Sequence, residues 1–177
     1  MPHINLPHGL PGIVAGYTYS PETAKPMREL AHILLHEPSS LTPGERELIA
    51  AFVSAENGCK FCQLSHEAVA ARHLGNESIA QLIMTDYRAA PVSEKLKALL
   101  NIAGKVQKDG KLVTSADVEA ARKEGATDRE IHDTVLIAAA FCMYNRYVDG
   151  LEMGQPLDSA AYAQTAERLA SQGYRPK

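Results

Sequence analysis

Residues 42–66 read TPGERELIAAFVSAENGCKFCQLSH, and two helices joined by a tight turn are written into them. Thr42 and Glu45 have the spacing of a capping box, in which each side chain satisfies a backbone amide of the other. Leu48, Ile49, Phe52 and Val53 follow at helical spacing, so one face is apolar. Asn57-Gly58 is a strong C-terminal stop. A second helix is expected from about Cys59 to Leu74, with Gly75 beyond its end. Reversal at Asn57-Gly58 packs the two as an antiparallel hairpin.

The hairpin carries a Cys-x-x-Cys pair, Cys59 and Cys62, with His66 four residues on and Glu47 twelve residues before. Offsets of three, four and seven place Cys59, Cys62 and His66 on one helical face. A cysteine at a helix N-terminus meets unpaired amides and the positive end of the dipole, so the Cys59 thiolate is expected to be favoured. His66, one turn after Cys62, can take the Cys62 proton directly or through water. Counting outward from the turn, Glu47 falls about one turn from His66 and too deep to touch Cys59. The expected order from the mouth inward is Cys59, Cys62, His66, Glu47, with a relay running Glu47 to His66 to Cys62. Such a site suits peroxide reduction. A thiolate attacks the O–O bond and becomes a sulfenic acid, and a neighbouring thiol condenses with it to a disulfide. An external dithiol then restores the pair.

Working outward, residues 1–20 hold Pro2, Pro7, Pro11, Gly9 and Gly12 and read as an irregular arm lying on the surface of the molecule or of a partner subunit. Ser20-Pro21 opens a helix that Pro26 is expected to break or restart, with Met27, Leu30, Ala31, Leu34 and Leu35 on one face. Shorter helices are expected near 77–84, at 93–108 closed by Asp109-Gly110, and at 115–124. Thr127 and Glu130 form another capping box and open a long helix from about Asp128 to Met153. Its run from Val135 to Met143 is apolar on nearly all sides, as in a central buried helix. Asp158 caps a last helix to about Gln172, and residues 173–177 read as a frayed tail. No alternation marks a strand. The expected class is all-α, with one domain at 21–172.

The length of 177 residues suits one sizeable core. A net charge of −3, scattered in sign, does not make the basic stripe of a nucleic-acid binder. No apolar run is long enough for a membrane span, and residues 1–12 lack a secretory pattern. Three cysteines without a secretion signal indicate a reducing cytoplasm, where a close pair is catalytic or metal-binding rather than a staple. No nucleotide-binding loop or other cofactor motif is present, so electrons are expected from a partner dithiol or disulfide reductase.

Glu47, Cys59-x-x-Cys62 and His66 match E-x(11)-C-x-x-C-x(3)-H, and the pattern resembles that of alkylhydroperoxidase D (AhpD)-like proteins of the carboxymuconolactone decarboxylase superfamily. The stretch Asn145-Arg146-Tyr147-Val148-Asp149-Gly150-Leu151 resembles a segment of its peroxidase-related branch. The resemblance spans about residues 20–155. It implies an AhpD-like helical bundle that forms homo-oligomers, with a thiol peroxidase or disulfide reductase activity on hydroperoxides. It also implies that Cys62 meets the peroxide, Cys59 resolves it, and Glu47 and His66 move the proton. Where the reference enzymes carry a second histidine, this chain has Phe61.

Two other readings compete. Cys59, Cys62 and His66 could hold zinc, with Glu47 or His132 as fourth ligand, in a non-catalytic scaffold. A muconolactone-type decarboxylase is the third, but its chemistry does not need the cysteine pair. Cys142 reads as a small buried hydrophobe, and Asn145, Arg146 and Asp149 as an ion-pair network at an interface or as the lining of the path to the site.

Overall fold

The structure, a computed structural model, describes residues 1–156, 158 and 160–175. The described residues form nine α-helices and one 3-10 turn (Gly110–Leu112) joined by turns and loops, and none of them is in a strand. The helices are α1 (Ile13–Tyr19), α2 (Pro21–Leu35), α3 (Pro43–Glu56), α4 (Lys60–Leu74), α5 (Glu77–Asp86), α6 (Glu94–Lys108), α7 (Ser115–Lys123), α8 (Asp128–Gly150) and α9 (Ala160–Gln172).

The α3–α4 hairpin is the most extensive helix pairing, as its sequence requires. The Thr42 amide donates to Glu45 Oε2 at 2.8 Å and the Glu45 amide to Thr42 Oγ1 at 3.2 Å. Gly58 adopts φ 75°, a left-handed conformation that costs a side chain energy and glycine almost none. Cys59 is the N-cap of α4, and its amide donates to Ser54 O at 3.0 Å, closing the turn. Leu48, Ile49 and Val53 of α3 are buried against Leu99, Leu100 and Ile102 of α6 and Ile137 and Phe141 of α8. Each such side chain contributes about 1.5–3 kcal/mol relative to exposure. This core fixes α3, and so fixes Glu47.

Four sequence expectations change here. Pro26 lies inside a continuous α2. Its ring sits early in the helix, where only one hydrogen bond, to the carbonyl of exposed Glu22, is forfeited. The arm is not wholly irregular, because the proline-free run 13–19 forms α1. The arm also closes on the protein. Leu6 and Ala15 share a small buried cluster with Cys59, Cys62, Val148 and Met153, and the Gly12 amide donates to Gly154 O at 2.6 Å. Gly12 is required there: φ is 49°, and a Cβ would come within 2.3 Å of the Phe61 ring.

Helix α8 is buried on one side only. Leu136 and Met143 are 38% and 44% exposed, because no described element covers that face. Finally, the tail is ordered as far as Arg175, while residues 176 and 177 lie outside the described residues. Arg175 makes a bidentate pair with Glu29 at 2.8 and 2.6 Å and reaches Glu37 at 2.8 Å. The Tyr174 amide donates to His32 Nδ1 at 3.2 Å. Residues 173–175 therefore strap back across α2. Among the described residues, no helix is long and apolar enough to cross a membrane.

Candidate active site

The hairpin brings the expected residues together. His66 Nδ1 lies 2.7 Å from Glu47 Oε2, and Glu47 is 1% exposed. A first-turn glutamate facing water is thus excluded. An ionised Glu47 requires the proton on Nδ1, which leaves Nε2 as the acceptor. The imidazole meets Phe141 edge-on, with centroids 4.6 Å apart, so the ring is held by packing as well as by the carboxylate.

The second oxygen of Glu47 is taken by a residue 127 positions away. Tyr174 Oη donates to Glu47 Oε1 at 2.6 Å, stands 3.3 Å from His66 Nδ1, and stacks its ring on the imidazole at 5.9 Å. Burial, and then the charge of Glu47, push the Tyr174 phenol far above its usual range, so it stays a donor. The strap owes its position mainly to this residue. A partly buried ring and a hydrogen bond to a carboxylate together contribute about 2–5 kcal/mol. The exposed Arg175 pairs add at most about 1 kcal/mol each.

Both thiols of the pair are free and buried, but they are not equivalent. The Cys62 thiol is held below its ordinary range. Its chief support is the adjacent Cys59 thiol; burial opposes, His66 and Asn145 help, and Asp149 opposes. Cys59 is pushed far above its range, first by that same partnership with Cys62, then by burial. This reverses the expectation for Cys59. The Cys62 amide does favour a Cys59 thiolate, as a helix N-terminus should, but one proton is shared between two sulfurs and His66 and Asn145 favour ionisation of Cys62.

The expected order from the mouth is corrected as well. A cavity of about 100 Å³ is lined by Cys62, Ser65, His66, Phe61 and Tyr174, among others, and not by Cys59. Cys59 lies behind Cys62, covered by Leu6, Ala15, Val148 and Met153. The arm that seals it is the segment expected to be irregular and to lie on a surface. A larger groove, about 760 Å³, runs between the arm and residues 153–156 and is lined by none of the four site residues.

Of the two readings of Asn145, the structure places it beside the candidate site, where it supports the Cys62 thiolate. It is fully buried, accepts from Asn57 Nδ2 at 2.8 Å and donates to Ser54 Oγ at 3.0 Å. Its neighbours on α8 do not join it in a network: Arg146 is exposed and donates to Cys142 O, and Asp149 lies beside the thiols. Cys142 is half-buried, with its sulfur 3.6 Å from Asn57 Nδ2. Among the described residues, no three His, Cys, Asp or Glu side chains converge as metal ligands. His132 is 63% exposed and pairs with Asp133, far in environment from the buried thiols.

Residues 21–104, which include α3 and α4, match the carboxymuconolactone decarboxylase family. An uncharacterized peroxidase-related protein from Ralstonia eutropha JMP134, described as an alkylhydroperoxidase AhpD core, has a similar structure. Its TM-score is 0.80 at 28% identity, over 89% of this chain and 81% of that one. The chain is thus similar, in its central helices and in its fold, to AhpD-like proteins of the carboxymuconolactone decarboxylase superfamily. A second relative of this AhpD-like chain, an uncharacterized peroxidase-related protein from Silicibacter sp. TM1040, gives 0.78 at 27% identity over 86% and 78%. A protein of unknown function from Agrobacterium tumefaciens, named as an AhpD candidate, gives 0.70 at 27% identity over 83% and 99%. No curated protein matches the chain.

Proposed function

We propose that this AhpD-like protein is a thiol-dependent peroxidase that reduces hydroperoxides through Cys59 and Cys62. One observation carries the reading: Cys62, the thiol whose ionisation its surroundings favour, lines the cavity together with a histidine anchored on a buried carboxylate.

In this scheme His66 Nε2 takes the Cys62 proton. The thiolate attacks the terminal peroxide oxygen, the O–O bond breaks, and sulfur is oxidised to a sulfenic acid. The departing alkoxide takes the proton from His66 and leaves as alcohol. Cys59, already beside Cys62, attacks the sulfenic sulfur, and hydroxide leaves with the Cys59 proton as water. Neighbouring sulfurs make this step effectively unimolecular. A partner dithiol then returns two electrons and two protons by exchange and departs as a disulfide. Glu47 holds the imidazole in the working tautomer and stabilises its charged form. Tyr174 holds Glu47, and this third group stands where no second histidine is available, since Phe61 packs at 6.2 Å against Tyr162 instead.

The test is stoichiometric. One equivalent of hydroperoxide should remove two thiols per reduced chain and leave a Cys59–Cys62 disulfide in the peptide map. Cys62→Ser should consume no peroxide. Retention of both thiols in the unaltered protein would end the proposal.

A further inference from the structure

Two arginines line the cavity in front of Cys62, and among the described residues neither is answered by an acid. Arg28 comes from α2 and Arg168 from α9. The glutamate beside each in sequence is committed elsewhere, Glu29 to Arg175 and Glu167 to Arg72. Among the described residues, neither guanidinium forms an ion pair or donates a side-chain hydrogen bond. Arg28 instead lies over the Tyr17 ring, 4.7 Å from its centroid. Stacking leaves the N–H edge of a guanidinium free, and that edge fits a carboxylate with two parallel hydrogen bonds. Both charges act on the cavity: Arg28 opposes the burial that raises the Tyr17 phenol, and Arg168 does the same at Tyr174.

The remaining walls are apolar or aromatic, with Ile13, Phe61, Phe141 and Leu169 among them. Arg168 is exposed and Arg28 half-buried, whereas Cys62 is 3% exposed. The cations therefore stand toward solvent and the sulfur at the inner end. Hydrogen peroxide would use neither the apolar wall nor the cations.

We propose that the substrate is an organic hydroperoxide with an apolar body and a carboxylate, held by Arg28 and Arg168 while its peroxide end reaches Cys62. This rests on the peroxidase reading above and narrows it. The bond changes are those already given, with the carboxylate a spectator, and the alcohol product carries it away.

The test uses the reduced full-length chain and three hydroperoxides on one skeleton: cumene hydroperoxide, its para-carboxylate, and the methyl ester of that acid. The readout is the rate of Cys59–Cys62 disulfide formation, so no reductant is needed. At low salt the carboxylate should react about tenfold faster than the ester or the parent. High salt should shrink that preference in the unaltered protein. In the Arg28→Gln/Arg168→Gln double variant the preference should collapse to below about twofold. Equal rates for all three, or a preference that survives the double variant, would overturn the assignment and leave the peroxidase reading standing. Failure of all three to oxidise the pair would overturn both.

Discussion

Tyr174→Phe removes one hydroxyl and keeps the ring that stacks on His66. The lost group donates at 2.6 Å to a carboxylate that is 1% exposed. A hydrogen bond to a charged group is worth about 1.5–3 kcal/mol, and one pKa unit is about 1.4 kcal/mol. If the whole loss reached the Cys62 thiolate, its pKa would climb by about one to two units. Glu47 and His66 stand between, and each passes on only part, so a rise of about half a unit to one unit is expected. The sign follows from the shared proton: a buried carboxylate that has lost its phenol donor draws the Nδ1 proton toward itself, which leaves less positive charge on the imidazole that helps to lower Cys62. The assay is the pH dependence of Cys62 alkylation by iodoacetamide, followed by peptide mass, with thermal unfolding measured alongside. An unmoved alkylation midpoint with a lowered melting temperature would make Tyr174 a structural plug and refute its place in the relay.

At neutral pH, iodoacetamide should modify Cys62 more than about tenfold faster than Cys59, since thiolate fraction sets the rate; peptide mapping reads this, and equal rates would contradict the assigned asymmetry. Asn145→Ala should cost about 1–3 kcal/mol in urea unfolding, because it leaves buried partners unpaired, and should raise the Cys62 alkylation midpoint. Gly12→Ala should cost about 1–3 kcal/mol, from the left-handed backbone and the collision with Phe61, and should speed alkylation of Cys59 by loosening its cover.

The hairpin was readable because its signals are local. Capping boxes at Thr42 and Thr127, the stop at Asn57-Gly58 and the 3-4 spacing all act within one or two helical turns. Counting across a tight turn was enough to pair Glu47 with His66. What stayed hidden depends on chain segments that return from far away. Tyr174 reaches the site only because residues 173–175 lie across α2, and a lone tyrosine near a terminus carries no periodic signal. Asn145 sits in a run that reads as an interface network or as the lining of a path, and its burial against Ser54 and Asn57 follows from how α8 packs on α3. The helix-terminus rule for Cys59 was sound in isolation; it was overridden by the second sulfur and by an arm whose prolines and glycines disguised Leu6 and Ala15 as exposed.

The central claim is that Cys62 is the sulfur that peroxide meets. In Cys59→Ser the sulfenic acid cannot be resolved, so it can be trapped with dimedone and located by peptide mass. Loss of Cys59 also removes the chief support of the Cys62 thiolate, so the trapping should be run at about pH 8.5. A single dimedone adduct on Cys62, formed in proportion to added hydroperoxide, is the expected result. An adduct on Cys142, or none at all, would contradict the account.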